Sequence, residues 1–341
     1  MPARKALGWE TLPDDELLDL ELADLHVSIA GTFLERPIDV LYEELEARGI
    51  RIRPHCWLSN EWFSPSGVPG IAIPFYLAHP RLIRLERKQM LETEGASYRE
   101  CMQLLRHEAG HAIDHAFDLR RRRRWQQVFG KTSEPYPDAY RPNPTSKRYV
   151  MHLPRWYAQS HPDEDFAETF AVWLTPRSPW RARYRGWPAL RKLEYVDELM
   201  SELAGKKPKV TGRRQVDPLS KLHMTLRAHY RKRREHYRQT FANVYDHELR
   251  RLFADGNRAR TSVPASMFLR RNRREIRQMV AKWTGEYELT LDHVLGDMIA
   301  RCRDLRLRAT GNERKLKMDF AILLTAKAVQ YVHRQREWHA V

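Results

Sequence analysis

Long apolar runs are missing from this sequence. No stretch approaches the roughly 18 consecutive apolar residues that a membrane-spanning helix needs, so no membrane segment is expected. Cysteine is scarce. Cys56, Cys101 and Cys302 lie far apart and no CxxC pair occurs. That excludes a disulfide framework and a cysteine-rich metal site, and it points to a reducing, cytoplasmic compartment. The opening stretch MPARKALGWETLPDDELLDL turns acidic before the apolar core of a secretion signal could form. Internal repeats are absent too.

What is present describes a globular chain with room for two cores. Of 341 residues, 42% are apolar and 30% charged. The formal charge of +16 is unevenly spread: residues 206–341 hold 32 Lys+Arg against 14 Asp+Glu, while residues 1–205 hold 28 against 30. A near-neutral half and a basic half predict two units with different jobs. The joint is expected at 206–218, within the Gly-, Pro- and charge-rich stretch GKKPKVTGRRQVDP that begins at Gly205.

Apolar spacing predicts helices over Asp14–Leu25 and Ile38–Gly49, then short strands over Ile50–Leu58 and Gly70–Leu77, with Arg81–Arg87 as a candidate third strand. A long helix is expected over Ser97–Leu119, a second from about Pro162 to Pro176, and a third over Leu190–Leu203. Beyond the joint, helices are expected over Leu219–Ala254, Ser266–Trp283, Leu289–Arg306 and Glu313–Arg336. The fold class is therefore α+β: an α+β domain over 1–205, a linker over 206–218 and a basic all-helical domain over 219–341.

The chemistry concentrates in His107-Glu108-Ala109-Gly110-His111, an HExxH pattern inside the long helix. Residues four apart share a helix face, so His107 and His111 can offer ring nitrogens to one ion. Glu108 sits where its carboxylate can reach a metal-bound water. Gly110 weakens a helix by about 1 kcal/mol relative to Ala and so asks for a packing reason. A third ligand is needed. The HExxHxxGxxH form would require Gly at position 114 and His at position 117, where this chain has Asp114 and Phe117. The later segment HPDEDFAETFAVWL supplies Glu164 as ligand and Glu168, one turn on, as a partner behind a ligand histidine. Asp163 and Asp165 are alternative carboxylates. Asp114 is expected to support the site by bonding a nearby loop. His115 is expected in a supporting or surface role.

HEAGHAID followed by EDFAE resembles the gluzincin metallopeptidases, especially the lethal-factor-like and related bacterial zinc-binding peptidase families. The resemblance spans about Leu104–Ala116 and Tyr157–Trp173, and it implies a zincin-like domain with a small mixed sheet and an active-site helix. It implies Zn2+ held by His107, His111 and Glu164, with Glu168 behind. It also implies that Tyr157, seven residues before Glu164, stabilises the reaction's oxyanion. The basic C-terminal half lies outside the resemblance.

The expected function is a zinc-dependent hydrolase, a restricted-specificity endopeptidase with Glu108 as general base, acting on a protein or peptide substrate. The alternative is a nucleic-acid-associated regulatory protein with a structural or sensory zinc. It would rest on the basic stretches His229–Arg238 and Leu269–Arg277, which form no recognised zinc-finger, RNP or basic-zipper pattern, so nucleic acid is the less favoured partner. The strand GIAIPFYL is a candidate edge for pairing with extended substrate.

Overall fold

Apolar stripes at helical spacing build most of the chain, and one strand of a short parallel pair packs against the long helix that carries the HEAGH segment. The computed structural model describes residues 8–137, 139–140, 143, 145–236, 246–254, 262–334 and 339–340. Two compact units form: Met1–Gln89 with Thr93–Tyr230 and His339–Val341, and Met90–Glu92 with Arg231–Trp338.

The first unit runs α1 (Asp14–Leu18), a 3-10 turn (Leu22–Leu25), α2 (Glu35–Ala47), β1 (His55–Ser59), β2 (Gly70–Pro74), α3 (Pro80–Met90), α4 (Tyr98–Phe117) and α5 (Arg123–Phe129). It continues through β3 (Ala139–Tyr140), α6 (Pro162–Leu174), α7 (Trp180–Arg183) and α8 (Ala189–Leu203), and the division between units falls inside α9 (Leu226–His236). β1 and β2 pair in parallel, with Trp57 opposite Ala72, and Phe63 bridges to Ala72 in the antiparallel sense. A two-residue ladder joins β3 to His339–Ala340. The architecture is mostly helical with small two-stranded sheets, in line with an α+β description.

Three expected elements take other forms. Arg81–Arg87 is helix, not strand: Pro80 occupies the first helical position, and Leu82 and Leu85 are buried at a three-residue spacing. The strand expected over Gly70–Leu77 stops at Pro74 and turns into a 3-10 helix over Phe75–Ala78, because proline has no N–H to extend a ladder. The helix expected over Asp14–Leu25 breaks into α1 and the 3-10 turn.

Residues 206–218, expected as a linker, lie along the first unit. The N–H groups of Lys209 and Val210 donate to the Ala116 carbonyl at 2.8 and 3.0 Å. Trp57 Nε1 donates to the Val216 carbonyl at 3.0 Å, and the Ser59 hydroxyl to the Asp217 carbonyl at 2.7 Å. His55 Nε2 meets the Arg214 carbonyl at 2.9 Å.

The second unit contains α10 (Asp246–Leu252), α11 (Ala265–Thr284), α12 (Glu288–Asp304) and α13 (Glu313–Arg334). The helix expected over Leu219–Ala254 is a 3-10 turn (Leu219–Lys221), α9 and α10, with 237–245 outside the described residues. One two-residue antiparallel pair, β4 (Val263–Pro264) with β5 (Arg308–Ala309), departs from an all-helical unit. Phe268, Leu269, Ile276, Leu295, Met298 and Phe320 form its core. Several of its cations are ion-paired: Arg273 with Asp292, Arg277 with Glu288 and Asp292, Arg301 with Asp246, and Lys317 with Glu275. Among the described residues, no helix is long and apolar enough to cross a membrane.

Candidate metal centre

Helices α4 and α6 carry the site, and each begins with a defined cap. The Ser97 hydroxyl accepts from the Glu100 N–H at 3.2 Å, while the Glu100 carboxylate accepts from the Ser97 N–H at 3.4 Å, a reciprocal capping box. α6 opens with Pro162, and its N-cap is the His161 imidazole, whose Nδ1 accepts from the Asp163 N–H at 3.2 Å. The two helices touch where Gly110 faces Ala167. A Cβ on Gly110 would lie 2.8 Å from the Ala167 Cα and 3.1 Å from its carbonyl oxygen. Backbone cannot yield there as a side chain could, and this is the packing reason for glycine within HEAGH.

That close crossing brings the sequence-predicted donors together. His107 Nε2 and His111 Nε2 lie 3.2 Å apart, and Glu164 Oε2 is 3.0 Å from the first and 3.2 Å from the second. All three side chains are buried, and they form a group of donors able to hold a metal ion. Asp163 and Asp165, the alternative carboxylates, each have one oxygen engaged elsewhere, Asp163 with Arg120 and Asp165 with Lys192.

The cluster's electrostatics follow from burial and neighbours. Burial opposes charge on His107, yet the carboxylates of Glu164 and Glu168 outweigh it and hold the imidazole well above the ordinary histidine range. His111 is raised in the same way by Glu164 against burial. Glu164 is held well below the carboxylate range, its burial overcome by His111 and His107. Two imidazoles and a carboxylate thus share a space whose donor set fits a divalent cation.

Glu108 behaves differently. It is 6% exposed, and its Oε2 has no hydrogen-bond partner. Burial pushes its carboxyl up, against the pull of His107 and His111.

Glu168 stands behind the first histidine. Its Oε1 is 2.9 Å from His107 Nδ1, and its Oε2 accepts the Leu153 N–H at 2.9 Å. The carboxylate therefore fixes the ring with Nε2 facing Glu164. Asp114, expected to support the site, does so only at a distance. Its oxygens take the Arg120 N–H at 2.8 Å and Arg120 Nε at 2.6 Å, and Arg120 reaches Asp163 at 3.1 Å. The chain Asp114–Arg120–Asp163 ties the end of α4 to the first turn of α6. His115 accepts the Gly67 N–H at its Nδ1, 3.2 Å away, and burial followed by Arg120 and His111 pulls its pKa down to about 3.

Tyr157 packs against the site, its ring 5.6 Å from that of His107. It follows two non-glycine residues in the left-handed region, Arg155 (φ 62°) and Trp156 (φ 54°). Such backbone costs roughly 1–2 kcal/mol per residue and is maintained by surrounding bonds, here including the Tyr140 hydroxyl on the Arg155 carbonyl at 2.7 Å.

Two further groups carry no spacing signal. The Tyr136 hydroxyl donates to Glu164 Oε1 at 2.9 Å, and its ring stacks on His161 with centroids 3.8 Å apart. Arg120 belongs to a run of five arginines that reads as solvated, yet it is the ion-pair bridge just described. Strand β2 does not offer the substrate edge the sequence suggested: β1 lies on one side, and Phe63 exchanges both backbone hydrogen bonds with Ala72.

Two histidines and a glutamate, buried together beside a carboxylate with one unpartnered oxygen, define a candidate metal-binding protein. Residues 81–178 match the family described as putative zinc-binding metallo-peptidase, and that segment contains every donor of the cluster. The resemblance read from HEAGHAID and EDFAE is thus a family match over that segment. No curated protein and no solved structure matches the chain significantly.

Proposed function

We propose that the protein is a zinc-dependent endopeptidase of restricted specificity, with a gluzincin ligand set of His107, His111 and Glu164 on a zincin-like pairing of α4 and α6. The observation that carries this reading is Glu108: a buried carboxylate with an unpartnered oxygen, one residue from a metal ligand. Buried polar atoms left unsatisfied call for a reason, and a reacting water supplies one. Zinc held by the three donors would act as a Lewis acid and bring the pKa of a coordinated water to about 7.

The chain's own residues do the rest. Glu108 takes the proton of the attacking water and passes it to the leaving nitrogen of the peptide bond. Glu168 keeps His107 in one tautomer by accepting from Nδ1–H. Tyr157 donates its hydroxyl to the carbonyl oxygen as that oxygen gains charge. The substrate is a protein or peptide. Nucleic acid is not favoured, because Arg271, Arg273 and Arg277 of the basic stretch are engaged with carboxylates.

The test is Glu108→Gln. It should bind zinc with wild-type stoichiometry and lose turnover by about 100-fold or more. Substrates trapped by this variant from lysate, identified by mass spectrometry, would provide the peptide for the assay. Turnover that survives the substitution would reject the mechanism.

A further inference from the structure

We propose that Tyr136 is a positioning residue of the metal centre, whose hydroxyl orients the Glu164 carboxylate so that it presents a single oxygen to the ion. This rests on the reading of His107, His111 and Glu164 as the ligand set.

The two oxygens of Glu164 have different partners. Oε2 lies between the imidazoles, 3.0 Å from His107 Nε2 and 3.2 Å from His111 Nε2. Oε1 accepts the Tyr136 hydroxyl at 2.9 Å. A carboxylate is free to rotate about its terminal bond, and both oxygens can reach one cation when neither is held. With Oε1 engaged by a phenol, only Oε2 points at the histidines. Single-oxygen ligation leaves a tetrahedral ion its fourth position for water.

The phenol is itself held from α6. Its ring stacks on His161 at 3.8 Å with planes 17° apart. His161 Nδ1 accepts the Asp163 N–H, so its other nitrogen carries the proton and donates to the Glu134 carbonyl at 2.9 Å. In the strap formed by residues 130–136, Gly130 lies against Pro162. The strap therefore meets the first turn of α6 at Pro162, His161 and Glu164. Tyr136 remains 49% exposed at this point, so the link between ligand and strap lies at the surface.

This arrangement parallels Glu168 on His107. Two of the three ligands, His107 and Glu164, thus have their second polar atom bound by a neighbouring side chain, and loss of such a partner typically weakens metal binding by about 10- to 100-fold.

The experiment measures zinc affinity by chelator competition, together with the melting temperature of the metal-free protein, for wild type, Tyr136→Phe and Glu164→Ala. Phenylalanine keeps the ring on His161 and removes only the hydroxyl. The expected result is zinc affinity lower by about 10- to 100-fold in Tyr136→Phe with unchanged metal-free melting. Affinity within twofold of wild type would overturn the proposal, and so would a loss matched by lower metal-free melting, which would reveal a packing role. Glu164→Ala separates the two readings: it should lose zinc, and full retention would reject the ligand set itself rather than Tyr136 alone.

Discussion

His107, His111 and His115 share one helix, and what lies opposite each ring decides its charge. Carboxylates face the first two and raise them. Burial, together with the charge of Arg120 and His111, pulls His115 down to about 3, and its Nδ1 accepts a backbone N–H. The unfolded chain takes a proton on this residue near the ordinary value of 6.5, while the folded chain refuses it until about 3. The folded state binds fewer protons across that window, so the stabilisation is complete above it and is lost as pH falls through it. His115→Asn, whose amide oxygen can replace Nδ1 as acceptor for Gly67, should flatten the acid limb of a stability–pH curve by roughly one proton. An unchanged limb in urea melts from pH 7 to 4 would show that His115 titrates normally. At this scale the sequence was readable where spacing carries geometry: His107 with His111, and Glu164 with Glu168, sit one helical turn apart. Tyr136 was not readable, because a residue in a proline-rich loop reaches its partner through chain folding rather than periodicity.

Helices α4 and α6 depend on one small contact. In isolation, Gly110→Ala would favour the helix by about 1 kcal/mol. In this crossing the added methyl meets the Ala167 backbone at 2.8 Å, and overpacking of that kind costs about 1–3 kcal/mol. Gly110→Ala should therefore destabilise the protein on balance and weaken zinc binding, because His111 and Glu164 flank the contact. Ala167→Gly should not rescue it, since the nearest atoms are a Cα and a carbonyl oxygen that glycine retains. Thermal melts and zinc titration of the single and double variants check both statements, and rescue would place the clash on the Ala167 methyl instead. The long helices were legible because their apolar stripes repeat over several turns. α3 was not: over the short run RLIRLER, alternation and helical spacing overlap, and the proline that begins the helix is the deciding signal.

Two units with separate cores give metal binding a local reach. Zinc held only by the native first unit should stabilise it by about 2.7 kcal/mol at a free concentration one hundred times its dissociation constant. Amide exchange in α4 and α6 should slow as zinc is added, with exchange in the core of α11, α12 and α13 unaltered. Equal slowing in both sets would show that the units unfold together. Composition reads 206–218 as a linker, while the contacts of this stretch run through its backbone. Gly, Pro and Lys describe that stretch's side chains, whereas its carbonyls make the contacts to His55, Trp57 and Ser59.

Those contacts also set an order of events during synthesis. The partners of Trp57 and Ser59 are 159 and 158 residues downstream, and the Ala116 carbonyl at the end of α4 waits for Lys209 and Val210. A ribosome will have released the whole HEAGH helix and its glutamate partner before the segment that bonds to β1 and to the end of α4 emerges. Contacts between such distant residues form late because a long loop must first close. The donors of the cluster are therefore all present on the nascent chain before these backbone bonds can form.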